Sequence, residues 1–174
     1  MRIRRVLVGI GFLAVLTVAL LFGPELVARL REPKPPVSSI SSDSLARHPA
    51  LGCWEFKGID WETLVGVPER ARFDSALLSH RENSVARRLV IEPTARAAPM
   101  GAIYWAPYSD MKDVYVAWGD GLAGIQARLR YRRDSLVGTA IGWYDIGGPW
   151  VAGKLLGVRG GCPRDSIPAY RLRG

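Results

Sequence analysis

The sequence predicts an all-β domain, an antiparallel barrel of about eight strands, that follows an apolar N-terminal helix. The segment Leu122–Tyr131 alternates apolar and polar residues with period two, as in a half-buried strand. Asp120-Gly121 joins it to the apolar run Val114–Trp118, and Asp-Gly between two such runs is a hairpin signal. Short apolar segments of this kind recur along the domain with Gly and Pro between them. A β-sandwich is the alternative architecture.

Each predicted strand is a short run rich in branched or aromatic residues. The eight runs are Cys53–Lys57, Ala71–Leu78, Arg87–Ile91, Ala102–Tyr108, Val114–Trp118, Leu122–Tyr131, Leu136–Tyr144 and Lys154–Arg159. A short helix is predicted before them at Ser44–His48, with Ser41, Ser42 or Asp43 as its N-cap. Closure into a barrel would remove the unpaired strand edges that promote aggregation.

The N-terminal segment, residues 1–32, predicts export from the cytoplasm. Arg2, Arg4 and Arg5 precede a run from Val6 to Gly23 that holds no charged residue. A basic flank before such a run is typical of a signal peptide or a signal anchor. The run is long enough to span a bilayer and no clean cleavage site follows it, so we favour an anchor. The expected location is the periplasm or the outer face of the inner membrane, with secretion if the segment is cleaved.

Residues 33–43 form a Pro/Ser-rich stretch that predicts an extended linker. The β-domain then covers residues 44–174. The formal net charge of the chain is +8, and part of it belongs to the export segment. A moderately basic surface outside the cell would suit anionic lipid or polysaccharide, and no motif for nucleic acid accompanies it.

Cys53 and Cys162 are the two cysteines of the chain. In an exported protein a single pair of this kind predicts a disulfide, here between the first strand and a point just after the last. By the chain-entropy model, closing this loop with a disulfide would stabilise the folded domain by about 4–5 kcal/mol. His48 and His80 provide no local pair of ligands with these cysteines, so no metal site is predicted.

The residues around the first strand resemble the start of a lipocalin. A short helical turn precedes Gly52-x-Trp54, and Arg159 lies late in the last predicted strand. The resemblance implies a calycin-type barrel in which Trp54 closes one end and Arg159 packs over it. As a whole, the chain is similar to small exported bacterial proteins of uncharacterised function. The resemblance implies no ligand.

The predicted function is non-catalytic binding of a small apolar or amphipathic ligand, since small barrels can hold one molecule in their mouth. Five tryptophans are the candidate contacts, with the loop residues among them favoured for the rim: Trp61, Trp105, Trp118, Trp143 and Trp150. Packing within the core is the competing role for such residues.

The alternative function is a structural or interaction role at the envelope. Arg128, Arg130 and Arg132 share one face of a predicted strand, and Arg133 adjoins them. Guanidinium groups bind phosphate bidentately, so this row could contact anionic lipid or polysaccharide. No nucleophile elbow, phosphate loop, dinucleotide motif or zinc helix is present, so no enzyme and no cofactor are predicted. The oligomeric state is left open.

Overall fold

The computed structural model describes residues 28, 32–36, 40–78, 85–92, 103–119, 122–145 and 147–163. The predicted apolar helix and export segment fall outside these residues apart from Ala28 and Glu32, and so does the Asp120-Gly121 turn. In the described part of the chain, no helix is long and apolar enough to cross a bilayer.

One short helix and eight strands make up the domain. Helix α1 is Ser42–Ala46, and the strands are β1 Gly52–Ile59, β2 Arg70–Leu77, β3 Arg87–Ile91, β4 Tyr104–Pro107, β5 Asp113–Gly119, β6 Ala123–Arg132, β7 Ser135–Tyr144 and β8 Trp150–Arg159. The Ser41 hydroxyl caps α1 by accepting a hydrogen bond from the Ser44 amide. The helix thus starts two residues earlier than predicted, because Ser41 is the N-cap.

The strands form a closed antiparallel barrel in sequence order. Strand β8 pairs with β1, with Arg159 opposite Trp54 and Lys154 opposite Ile59. The predicted all-β barrel is therefore confirmed. The alternative of a β-sandwich is wrong, because pairing of the first and last strands joins the sheet into one ring.

Side chains from all eight strands fill the interior. The largest fully buried ones include Trp54, Trp105, Phe73, Ile125 and Leu136. They belong to one apolar cluster, which Leu45 of α1 and Ala50 extend at one end. We call that end, where β1 begins and β8 finishes, the helix end. Inward residues alternate with outward ones along the strands, as the period-two pattern of the sequence predicts, except at the register shifts in the β2–β3 and β7–β8 pairs.

A second, smaller apolar cluster lies on the outside of the barrel wall. It comprises Val85, Ala86, Tyr104, Ala106, Tyr115 and Ala117, with Leu78 and Tyr108 against it. The outward residues of β4 and β5 are thus buried, although one side of a barrel wall normally faces solvent. Residues 32–36, which include the start of the predicted linker, bond to this wall. The division of the chain at residues 32 and 43 stays a prediction.

Candidate functional site

The helix end of the barrel is closed by the chain that leads into β1. Leu45 and Ala50 are buried in the interior cluster. The indole Nε1 of Trp54 donates a 2.7 Å hydrogen bond to the Ala50 carbonyl. This bond satisfies the one polar atom of a fully buried indole and fixes the turn between α1 and β1.

Arg159 covers the Trp54 ring at this end. Its guanidinium carbon lies 4.1 Å from the ring centroid. The same group donates hydrogen bonds to the carbonyls of Leu51 and Pro49. Gly52 has a φ of +105°, and a Cβ there would lie 2.9 Å from Nη1 of Arg159. Glycine is therefore needed both for its backbone conformation and for the room it leaves. This is the arrangement that the lipocalin resemblance implies.

Cys53 and Cys162 form a disulfide at the same end, with their Cα atoms 4.9 Å apart. The predicted bridge is confirmed. It ties the start of β1 to the chain just past β8, so the seam that closes the barrel is held covalently as well as by the β1–β8 ladder.

His48 lies under the same turn and is only 3% exposed. Its Nδ1 accepts a hydrogen bond from the Ala50 amide, and its ring lies 5.7 Å from that of Trp105. Nε2 is buried, with no hydrogen-bond partner among the described residues. Burial lowers the pKa of His48 to about 4, although Asp110 acts in the opposite direction. The imidazole is therefore neutral at physiological pH.

A cleft of about 300 Å³ opens beside α1 at the helix end. It is lined by Ser42, Leu45, Ala46, Ser75, Leu77 and Arg87. Leu77 is 62% exposed at the cleft, whereas Arg87 is only 7% exposed. The lining thus combines an apolar surface, two hydroxyl groups and one largely buried cation.

The position of Arg87 follows from strand alternation. Arg87 shares the inward face of β3 with Leu89 and Ile91, and it pairs in register with Trp105. Burial lowers the pKa of its guanidinium, which nevertheless stays charged because its ordinary pKa is so high. Arg87 was not among the predicted site residues. The available signal was its parity with the apolar residues of the same strand.

Two of the five candidate tryptophans are core residues. Trp105 and Trp118 are almost fully buried, and their Nε1 atoms donate to the carbonyls of Asp74 and Gly66. Trp61 stacks on Trp118, with centroids 6.5 Å apart, and donates to the Val65 carbonyl. The structure therefore brings Trp61 and Trp118 together at the end opposite α1, and the indole nitrogen of each donates to a backbone carbonyl.

Trp143 and Trp150 lie on opposite faces of the wall. Trp143 lies against the outward Gly124 of the neighbouring strand, with which it pairs. Trp150 stacks on Tyr144 with centroids 4.2 Å apart, at the end opposite α1. The exposed side chains Leu64 and Leu122 belong to loops of that same end. Trp61 and Trp150, the two tryptophans favoured for the rim, thus both lie at the end opposite α1, and their contact with a ligand stays a prediction.

Two of the four arginines in the predicted row are paired with a carboxylate on the outer wall of the barrel. Arg128 and Arg130 both bond to the carboxylate of Asp113, at 2.6 and 2.8 Å, and Asp113 is 1% exposed. The hydrogen bond from Arg130 is the main cause of the lowered pKa of Asp113. Arg132 and Arg133 are exposed where β6 turns into β7. In the observed β5–β6 ladder Asp113 lies opposite Arg130. The two-residue turn predicted at Asp120-Gly121 would have placed Asp113 opposite Arg128, so the sequence indicated a nearby carboxylate but not this register.

Among the described residues, no group of three His, Cys, Asp or Glu side chains could hold a metal ion. The chain matches no protein-family model, and neither the curated proteins nor the solved structures include a significant match to it.

Proposed function

We propose that this protein is an exported, non-catalytic barrel that binds a small amphipathic molecule through its anionic group in the cleft at the helix end. The observation that supports this is the largely buried guanidinium of Arg87 beside Ser42 and Ser75 in a cleft that is otherwise apolar. Export, anchoring by residues 1–32 and a place in the lipocalin family belong to the same proposal.

The filled interior decides where such a ligand would bind. Inward side chains of every strand pack in one cluster, so a molecule cannot occupy the centre of the barrel without displacing them. The cleft lies outside this cluster, between α1 and the end of β2. It could accept a short alkyl chain along Leu45 and Leu77 while the head group reaches Arg87.

The electrostatics of the cleft favour an anion over a neutral head group. Arg87 Nη1 donates to the Ala86 carbonyl, and a guanidinium carries five N–H donors, so an anion could bind beside that bond. A guanidinium that burial has partly removed from water gains more from a carboxylate or phosphate than an exposed one does. Two hydroxyl groups beside it can donate further hydrogen bonds to the same oxygens. Arg87 would therefore set the charge of the ligand, and the leucines would set its apolar part.

Binding of laurate, compared with dodecanol, to the full chain by isothermal titration calorimetry tests the proposal. We expect laurate to bind the wild type and dodecanol to bind it at least about tenfold more weakly. The substitution Arg87→Gln should lower the affinity for laurate by about tenfold or more. Arg132→Gln is the matched control, because it removes an exposed arginine that is not part of the cleft lining. Equal binding of laurate to wild type and Arg87→Gln, with unchanged near-UV circular dichroism, would show that the cleft is not the site.

The alternative is contact with anionic envelope components through arginine side chains. A filled interior favours this role, because it leaves the outer surface as the place for contacts. Arg132 and Arg133 are the exposed arginines of the predicted row that do not bond to Asp113. Co-flotation with vesicles of anionic or neutral lipid at two salt concentrations separates the possibilities. The alternative is supported if binding needs anionic lipid, weakens as salt is raised and is lost in Arg132→Gln/Arg133→Gln. It is contradicted if the double variant binds the vesicles as well as the wild type does.

A further inference from the structure

The outer wall of β4, β5 and β6 carries a strip of tyrosine and polar side chains. Tyr104 and Tyr115 face outward from neighbouring strands, with ring centroids 5.6 Å apart. Both are buried, at 7% and 3% exposed. Tyr108 follows β4 directly and packs against the same cluster. We call Tyr104, Tyr108, Tyr115 and Gln126 the tyrosine groove.

Residues 32–36, Glu-Pro-Lys-Pro-Pro, cross this groove. Three of the five are prolines, and Glu32, Lys34 and Pro35 each precede a proline. Proline fixes its own φ and excludes helical angles from the residue before it, so the whole segment is restricted to the extended polyproline II region. The segment has neither helix nor strand pairing in the structure.

The two outer prolines of the segment are the ones that are buried. Pro33 and Pro36 are buried, whereas Glu32, Lys34 and Pro35 are exposed. Polyproline II has three residues per turn, so Pro33 and Pro36 lie on the same face. That face is turned toward the protein and the charged residues are turned toward solvent.

Polar contacts fix the segment on either side of Pro33. The Tyr108 hydroxyl donates a 2.5 Å hydrogen bond to the Lys34 carbonyl. Gln126 Nε2 donates a 2.7 Å bond to Glu32 Oε1, and Gln126 Oε1 accepts one from the Tyr115 hydroxyl. Polyproline II makes no internal hydrogen bonds, so its carbonyls are available to donors of this kind.

Two exposed arginines that share one buried carboxylate position the groove. The guanidinium of Arg128 lies 4.4 Å from the centroid of the Tyr108 ring, and the same group bonds to Asp113. Asp113 also bonds to Arg130. The Tyr108 ring is therefore held against an arginine that is itself fixed, which directs its hydroxyl to the segment.

We propose that the tyrosine groove is a binding site for a polyproline II segment of the form Glu-Pro-x-x-Pro, and that residues 32–36 of the same chain are its occupant. Grooves lined by aromatic side chains are a recurring way to recognise polyproline II segments, and here a tyrosine hydroxyl also donates to a carbonyl between the two buried prolines. The site is separate from the cleft at the helix end and does not depend on the ligand proposed there. It makes the Pro-rich stretch a docked strap where a free linker was predicted.

A competition experiment on the full chain tests the groove. A fluorescent peptide of residues 30–38 is titrated by anisotropy into wild type and into the variant Pro33→Ser/Pro36→Ser. We expect the peptide to bind the variant at least about tenfold more tightly, because the tethered strap of the wild type competes at a high effective concentration. A peptide with serine at positions 33 and 36 is the matched control and should bind neither protein.

Further variants show whether the contacts named above carry the binding. We call Pro33→Ser/Pro36→Ser the strap variant. Adding Tyr108→Phe to it should lower its affinity for the peptide about fivefold, because one hydrogen bond to the peptide is lost. If the double proline variant loses its near-UV circular dichroism, Glu32→Ala serves as a milder way to loosen the strap. Equal affinity for wild type and folded variants, or equal binding of the serine peptide, would overturn the proposal. A wild-type dimer that becomes a monomer in the strap variant would overturn the intramolecular assignment.

Discussion

The guanidinium of Arg159 lies over the indole of Trp54, 4.1 Å from its centroid, and the two residues pair directly between β8 and β1. One contact thus joins the last strand to the first. It also seals the helix end, because Arg159 bonds to the carbonyls of Leu51 and Pro49 in the turn that leads into β1.

Replacing Arg159 should therefore destabilise the barrel more than replacing another exposed arginine. We expect Arg159→Gln to lower the free energy of unfolding by about 2 kcal/mol, from the lost cation–π contact and the lost hydrogen bonds to the turn. Urea denaturation measures this, with Arg132→Gln as the control for removing a surface charge. A loss no larger than that of the control would contradict a sealing role.

Removal of the disulfide should destabilise the domain without changing its strand pairing. The Cys53–Cys162 bridge has a sequence separation of 109. The chain-entropy model gives about 4–5 kcal/mol for a loop of this length. Cys53→Ser/Cys162→Ser should show that loss in urea denaturation and should not respond to dithiothreitol, whereas the wild type should. A wild type that is insensitive to reduction would indicate that the pair is not bridged in the purified protein.

Stability should fall on mild acidification because of His48. Its pKa is about 4 in the folded chain, below its ordinary value of 6.5, so the unfolded state takes up the proton first. The stability that this histidine contributes is complete above about pH 6.5 and is lost as the pH falls toward about 4.

Between pH 7 and pH 5 this effect amounts to about 2 kcal/mol. His48→Asn keeps an acceptor for the Ala50 amide and does not titrate, so its stability should change less over the same interval. Thermal unfolding at half-unit pH steps gives the comparison. Parallel profiles for the two proteins would rule out His48 as the cause.

Gly142 should not tolerate a side chain. A Cβ at this position would lie 2.1 Å from the ring of Trp150, which stacks on Tyr144. Gly142→Ala must displace the indole, and overpacking of this kind costs about 1–3 kcal/mol. We expect a lower melting temperature and a changed near-UV circular dichroism spectrum. Gly161→Ala is the control, since its nearest neighbour would be 3.5 Å away; an equal effect of both changes would contradict the packing argument.

The strand pattern was predictable because its determinants are local. The alternation in Leu122–Tyr131 marks the inward face of β6, and β3 begins and ends at the predicted residues. The boundaries of β4 shifted: Ala102–Tyr108 was predicted and Tyr104–Pro107 is observed. The choice between barrel and sandwich needed the pairing of β1 with β8, a contact between residues about a hundred positions apart that no local pattern specifies.

The candidate site was harder to predict, because it depends on which face each side chain takes and what covers it. Trp105 and Trp150 looked alike in the sequence, since both are tryptophans in or near a predicted strand. Trp105 lies in the core because it is on the inward face of β4. Arg128 was correctly expected to face outward, and its partner Asp113 lies on the adjacent strand. The burial of Pro33 and Pro36 could not be read from a Pro-rich stretch, since the same composition is typical of a solvated linker.

The cystine at the seam has a consequence for proteolysis. Every loop that links two strands lies between Cys53 and Cys162, so a single cut in any of them leaves two fragments that share the cystine and the strand ladder. Such a nicked molecule would stay assembled and would run as one species until a reductant is added. A protease could therefore cleave this domain without releasing any part of it.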